Sequence, residues 1–325
     1  MSAHPRAADL RLTARGRVID LARPLVMGIV NASPDSFSDG GLHPTLEARV
    51  ELARELVAAG AGIIDVGGES ATTNRPVVDV DVEIELVVPL IERVVGLGAV
   101  VSVETYKPRV AAAAIAAGAA IVNDVSGLRD PGLADVCAET GAALVVMHTR
   151  SPPRRRLHDA DRYADVLADV LGFLAERIEL AGSRGVAFEQ VIVDPGPDFS
   201  KTPAQTIELL RGAERLHDLG RPLLMAVSRK DFVGAVTGRP PRERLGGSLA
   251  ALSYGLDIGA NIFRMHDVAA ATDFIAVRAT LTGETELARD AALSDSLRWE
   301  PQSATGDRRS PRSPVDDQPA VNRGR

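Results

Sequence analysis

PLVMGIVN, Pro24 to Asn31, is the stretch on which the fold turns. It is short, apolar and rich in branched side chains, and it ends on a polar residue. A strand of a parallel sheet, covered on both faces, reads this way. After an intervening loop the pattern changes. LEARVELARELVAA, Leu46 to Ala59, spaces its apolar residues as a helix does, and Gly60 stands where that helix should stop.

The same pair of patterns recurs along the chain. Further strands are expected over 62–67, 99–104, 120–124, 143–148, 190–194, 222–228 and 261–266. Between and after them, helical spacing covers 82–95, 108–117, 133–139, 163–181, 204–219, 242–256 and 269–281. Gly118, Gly141 and Gly220 mark further helix ends. Strict alternation of strand and helix means a parallel sheet. Eight units over about 260 residues give the size of an α/β fold of the (β/α)8 TIM-barrel type. A doubly wound open sheet is the alternative. It usually has fewer units, and no Gly-rich dinucleotide fingerprint follows the first strand.

Three regions follow from this reading. Residues 1–22 form an N-terminal extension, in which Arg11 to Asp20 alternates weakly and is expected to make a small hairpin under the barrel. Residues 23–285 form the barrel. Residues 286–325 are expected to be a flexible tail, because the chain turns Ser-, Pro-, Arg- and Asp-rich after about Ser294 and cannot bury enough apolar surface to order itself.

Composition narrows the function. Of 325 residues 45% are hydrophobic and only 3% aromatic, so the core must rest on Val, Ile, Leu and Ala. The net charge of −7 and the lack of a basic stripe exclude general nucleic-acid binding, so an anionic substrate needs a local cluster of donors. Cys137, the one cysteine, sits in a helical pattern and reads as a buried structural thiol. With no possible disulfide within the chain, a reducing cytoplasm is expected. The first 17 residues lack the apolar core of a secretory signal, and no apolar run is long enough for a membrane span.

Polar residues fall at the C-terminal ends of the strands: Asn31, Asp65 with Glu69, Glu104, Asn123 with Asp124, His148, Asp194, Ser228 with Lys230, and Arg264 with His266. In a barrel these ends converge on the face that carries active sites. NASPDSFSDGG, Asn31 to Gly41, is a small polar loop suited to closing over a site. In GGESATTNRP, Gly67 and Gly68 allow close backbone approach, and Thr72, Thr73 and Arg75 suit an anion or carboxylate. Arg264, His266 and Lys230 after the last two strands suit pyrophosphate. No cluster has structural zinc spacing, whereas Asn31 and phosphate oxygens could share a hard cation such as Mg2+.

The motifs MGIVNASPDSFSDGG, GGES, SVET, NDVSG, VVMH, VDPG, SRK and RMHDV occur here in the order seen in dihydropteroate synthases, and the chain resembles that family from about Leu25 to Leu281. The resemblance implies a transferase of folate biosynthesis and a sulfonamide target. Such an enzyme joins 6-hydroxymethyl-7,8-dihydropterin pyrophosphate to p-aminobenzoate and releases pyrophosphate. It implies Asn31 as the Mg2+ and pyrophosphate residue, with Arg264 and His266 as pyrophosphate ligands. It implies Glu104, Asn123, Asp194 and Lys230 as pterin contacts, with Lys230, Asp194 and Asn31 carrying catalysis. It places Ser33, Pro34, Thr72, Thr73, Arg75 and Ser228 around p-aminobenzoate, and it implies a homodimer. The sequence departs from the family in three places. Glu104 replaces an aspartate, the GGES loop is longer, and Asp198 and Ser200 replace glycines. Two other readings stay open: a diverged pterin-binding paralogue without synthase activity, and a methyl-folate-binding barrel. The second predicts no pyrophosphate site.

Overall fold

The computed structural model describes residues 10–32, 43, 45–69, 77–155 and 157–298. The stretch read first from the sequence is β3, Leu25–Asn31, and it lies between two parallel neighbours. One is β4, Ile63–Gly67; the other is β10, Ile262–Met265. The sheet continues through β5 (Val100–Glu104), β6 (Ile121–Asp124), β7 (Ala143–Met147) and β8 (Val191–Asp194), while β9 (Leu224–Met225) pairs with β10 on the other side. The order is β8-β7-β6-β5-β4-β3-β10-β9, and every pairing is parallel. A single parallel bridge, Val193 to Leu223, and the N–H of Val193 donating to Pro222 at 3.0 Å bring the two outer strands together. The barrel expected from the sequence is thus nearly closed.

Helices follow the strands: α1 (Leu46–Ala58), α2 (Val80–Val94), α3 (Pro108–Ala116), α4 (Gly132–Thr140), α5 (Val166–Ser183), α6 (Pro203–Arg211), α7 (Asp231–Thr237), α8 (Leu245–Asp257) and α9 (Val268–Leu281). Gly60, Gly118, Gly141 and Gly220 all have positive φ, where a side chain is strained, so these four positions stop their helices for the reason expected.

Two cores result from the alternation along each strand. Val26, Val30, Ile64, Val66, Val101, Val103, Val122 and Val146 face the helices. Met27, Ile63, Ile121, Val145, Ile192, Leu224 and Ile262 face inward. The hairpin is present as β1 (Leu12–Ala14) paired with β2 (Arg17–Ile19). Leu12, Ala14, Ile19 and Leu21 pack on the inward core. Fully burying each such aliphatic side chain is worth roughly 1.5–3 kcal/mol, so the hairpin closes the barrel end opposite the polar strand ends.

Three details depart from the sequence reading. The helix expected over 204–219 breaks after Arg211, and the chain continues as a 3-10 turn over Ala213–Leu219. The break is Gly212, where a Cβ would meet Leu167 Cδ2 at 2.4 Å. The strand expected over 222–228 is regular only at Leu224 and Met225, with a single bridge from Leu223 to Val193 beside it. The segment after it, for which the sequence predicts no helix, contains α7, whose seven residues are too few for a periodic signal.

Residues 279–325 separate from 1–278 as a second unit. Its described part ends α9 and contains one 3-10 turn, Asp295–Leu297. No described helix is long and apolar enough to cross a membrane.

Candidate active site

Because successive side chains alternate across a strand, the inward residues of each strand can be counted upward from the barrel core. Above Ile63 comes Asp65, above Ile121 comes Asn123, above Ile192 comes Asp194, and above Ile262 come Arg264 and His266. On β5 the inward residue at the top is Glu104, while Val103 belongs to the outer core. The register sets Asn31 beside Gly67, Gly67 beside Glu104, and Glu104 beside Asn123. These four ends form one row. Gly67 puts no side chain between Asn31 and Glu104, since a Cβ there would already lie 3.7 Å from Glu104 Cβ and 3.9 Å from Asn31 Oδ1.

The same count corrects the idea that every polar strand end joins the site. Asp124 and His148 point to the helix layer. Asp124 is buried and accepts from the N–H groups of Ser126, at 2.7 Å, and Leu128. His148 Nε2 lies 2.9 Å from Asp169 of α5, and its ring packs edge-on against Phe173.

The inward groups are tied together by charge. Arg264 donates from Nε to Asp65 Oδ2 at 2.8 Å and from Nη2 to Glu104 Oε2. Asn123 Nδ2 donates to the same Asp65 oxygen at 2.9 Å. Asp65 is fully buried, and its Oδ1 has no hydrogen-bond partner among the described residues. Such an orphaned carboxylate oxygen is costly, and functional sites are where such costs are carried. Asp65 was recognised in the sequence as a polar strand end but was not selected as a site residue. The count of two from Ile63 was the signal that could have found it.

Burial raises the carboxyl pKa of Glu104 against the attraction of Arg264, and nearby Asp65 raises it further. Burial likewise raises Asp194 and lowers the ammonium of Lys230, with Asp198 and Asp194 opposing the latter. His266 is pushed down to about 3, first by burial and then by Arg264, so its imidazole is neutral at physiological pH. Ser228 Oγ accepts from the backbone N–H of His266 at 3.2 Å and lies 3.0 Å from its Nδ1. The serine proton can then go to Nδ1, leaving Nε2–H as a donor.

These groups line a cavity of about 220 Å3 whose walls include Asn31, Glu104, Asn123, Asp194, Lys230, Arg264 and His266. A second cavity of about 250 Å3 opens at the mouth and shares Glu104, Val125, Phe199 and Lys230 with the first. Its wall includes Glu69 and Arg154. Burial alone would raise Glu69, but hydrogen bonds from Arg154, Lys107 and Tyr106 outweigh it and hold the carboxyl low. Lys107 Nζ also reaches Glu83 at 2.6 Å, fixing the start of α2. Ser33, Pro34, Thr72, Thr73 and Arg75, selected from the sequence, lie outside the described residues.

One buried cluster escaped the sequence reading. Lys201 is 0% exposed and donates to the carbonyls of Gly196, at 2.9 Å, and Phe199, at 3.0 Å; its Nζ lies 2.8 Å from His148 Nδ1. It pins the segment between β8 and α6 that carries Phe199 into both cavities. A lysine after a strand gives no sequence cue that it turns inward.

A family model described as "Pterin binding enzyme" matches residues 27–266. The dihydropteroate synthase of Escherichia coli K12 is 39% identical over 277 residues, covering 85% of this chain and 98% of its own. The chain belongs to the dihydropteroate synthase family. Among solved structures, the Yersinia pestis dihydropteroate synthase in a sulfonamide drug complex superposes with a TM-score of 0.80 at 36% identity, covering 85% of this chain and all of that one. The Xanthomonas albilineans dihydropteroate synthase solved with 4-aminobenzoic acid gives a TM-score of 0.77 at 43% identity, covering 84% of this chain and 98% of that one. At this identity, over nearly the whole of the relatives, the function is that of a dihydropteroate synthase, a transferase.

Proposed function

We propose that the two cavities divide the substrates of this reaction between them. The inner one takes the pterin. Asp194, Asn123, Glu104 and Lys230 present carboxylates, an amide and an ammonium, which together read a ring edge of fixed donors and acceptors. The outer one takes p-aminobenzoate, with its amine directed at the shared wall of Phe199 and Lys230. The single observation behind this reading is the polar row at the strand ends, Asn31, Glu104 and Asn123, joined beneath by the charged pair Asp65 and Arg264.

The pyrophosphate is assigned to Asn31, Arg264 and His266. Arg264 Nη1 takes no partner among the described residues, and neutral His266 supplies a donor. Mg2+ fits as an ion brought in with the substrate. No group of three or more His, Cys, Asp or Glu side chains among the described residues could hold a metal, and Asn31 offers one hard oxygen, so phosphate and water would complete the shell. Bound there, it would neutralise the leaving group.

In the reaction the C–O bond to pyrophosphate breaks, the arylamine nitrogen forms the new C–N bond and then loses a proton. The residues orient the ring and hold the departing charge; no side-chain nucleophile is needed. Ser228, which the resemblance places beside the arylamine, lines the inner cavity instead and acts through His266. A homodimer is part of this proposal. Val236 is 70% exposed beside an apolar cavity between α6, α7 and α8, and that face suits a second copy. A cytoplasmic location fits the lone, buried Cys137, whose thiol burial pushes up to about 12.

The purified protein should release pyrophosphate from the pterin substrate only with p-aminobenzoate and Mg2+ both present. Release at an equal rate without arylamine would mean simple hydrolysis, and no release under any condition would sink the assignment. Lys230→Ala and Asp194→Asn should each lower kcat/KM at least tenfold, since a charged hydrogen bond in a buried site is worth about 1.5–3 kcal/mol. Unchanged kinetics at unchanged thermal stability would remove these residues from the site.

A further inference from the structure

The segment between β8 and α6 contains two residues that the backbone should resist. Asp198 has φ of 66° and Ser200 has φ of 55°, the left-handed region that glycine enters freely and other residues rarely do. They flank Phe199, whose ring is part of the wall between the inner and outer cavities. A strained backbone persists only where surrounding contacts hold it, and both side chains make such contacts.

Asp198 reaches across to the segment carrying Lys230. Its Oδ2 accepts the N–H of Asp231 at 2.5 Å, the first residue of α7 and the one directly after Lys230. Its Oδ1 accepts from Thr206 of α6 at 3.1 Å, and its own N–H donates back to Thr206 Oγ1 at 3.1 Å. Lys230 then returns to the same segment, donating to the carbonyl of Pro197 at 3.1 Å, with its Nζ 4.6 Å from the Phe199 ring centre. The result is a closed loop of contacts: Asp198 to Asp231, Lys230 to Pro197, and along the chain back to Asp198.

Ser200 anchors the other side of Phe199. Its Oγ accepts from the N–H groups of Arg150, at 3.2 Å, and Ser151, at 2.9 Å, on the segment after β7. Neither contact would exist with glycine at these positions.

We propose that Asp198, with Ser200 as a second anchor, is a positioning residue of this enzyme: its carboxylate clasps the segment of Lys230 and holds that ammonium and Phe199 together where the cavities meet. The proposal rests on the assignment of Lys230 to the pterin site. Asp198 acts in two ways, by geometry through the Asp231 N–H and by charge on Lys230. The ammonium also faces Asp194, Arg264, Glu104, Lys201 and His266, and after burial Asp198 is the largest influence on it, favouring the charged form. Removing that charge lets Lys230 lose its proton at lower pH.

Three variants separate these effects: Asp198→Gly, Asp198→Asn and Lys230→Ala, each followed by melting temperature, kcat, both KM values and the pH profile. Glycine suits the backbone, so Asp198→Gly should keep the melting temperature within a few degrees while kcat/KM falls about tenfold and the alkaline limb moves to lower pH. Asparagine tolerates the left-handed region and keeps the acceptor without the charge. It should recover most of kcat/KM at neutral pH yet leave the alkaline limb displaced. An Asp198→Gly enzyme with unchanged kcat/KM and pH profile overturns the proposal if Lys230→Ala is impaired. If Lys230→Ala is itself fully active, the pterin assignment of Lys230 fails and this proposal with it. Should Asp198→Gly fail to fold, an unmoved alkaline limb in Asp198→Asn overturns the role.

Discussion

Glu104→Ala is expected to abolish pterin binding and to weaken the fold at the same time. Glu104 is 9% exposed and meets Arg264, which also pairs with Asp65. Truncating one member of a buried pair leaves the other charge uncompensated, at a cost of about 3–5 kcal/mol. The lower end applies here, because Asp65 still engages Arg264 Nε. The ligand effect is larger in relative terms, since the carboxylate would be missing from the ring pocket and Arg264 Nη2 would lose its acceptor there. Glu104→Asp keeps the charge but is one methylene shorter. A displacement of about 1 Å can cost on the order of a hundredfold in rate when reacting atoms must face each other. Calorimetric titration of a pterin into all three proteins, with thermal melts alongside, tests both halves. If Glu104→Ala binds pterin as tightly as the unmodified protein, the carboxylate is no ring contact. If it melts unchanged, the pair with Arg264 carries no stability. The pH dependence has a definite sign. Burial raises Glu104, so protonation begins above the ordinary carboxylate range, and pterin affinity should fall as pH is lowered through that region.

How much of this could be read beforehand follows from what periodicity encodes. Strand β3 and its neighbours were legible because runs such as Leu25–Asn31 are apolar on both faces and are punctuated by glycine and helical spacing. The barrel-bottom hairpin was legible for a different reason, the weak alternation from Arg11 to Asp20. The inward site was half legible. Asn31, Glu104, Asn123, Asp194, Lys230, Arg264 and His266 announce themselves at strand ends, and all of them line the inner cavity. Which neighbour each would pair with was not, because the Asp65–Arg264–Glu104 linkage joins β4, β10 and β5 across sequence distances of up to 199 residues. Single-residue facing was also lost where a strand ends. His148 follows Met147 directly, yet one faces the helices and the other the cavity. The left-handed φ at Asp198 and Ser200 had no signal in the residues themselves; the cue was that both stand where the resembled family has glycine.

Lys201→Ala is the second substitution expected to have a large effect, and here the effect falls on the fold before the chemistry. Three acceptors surround the Nζ of Lys201: the carbonyls of Gly196 and Phe199, and Nδ1 of His148. A charged lysine has three protons, so each acceptor takes one. That sets the histidine tautomer: with Nδ1 accepting, Nε2–H donates to Asp169, which Arg150 grips through two nitrogens. His148 is pushed down to about 3, by burial first and by Lys201 next, so it serves as a neutral relay between the lysine and the carboxylate. Alanine would leave two buried carbonyls and a ring nitrogen without donors, each worth about 1–3 kcal/mol, in a space the lysine stem had filled. Part of that loss is offset, because the ammonium itself is costly to bury. A net loss of about 3 kcal/mol or more is expected. Lys201→Met refills the volume without restoring the donors, so it should recover only part. The pH dependence distinguishes this from simple packing. Burial lowers Lys201 to about 7, against 10.5 for the ordinary group. Between those values the unfolded chain binds more protons than the folded one, so the lysine's contribution to stability grows as pH rises through that window and is smallest below about 7. The stability gap between the unmodified protein and Lys201→Met should therefore be wider at pH 9 than at pH 6. Denaturant unfolding at the two pH values measures it, and a gap that is constant or narrows with pH would show that Lys201 does not titrate in the folded protein as its burial requires.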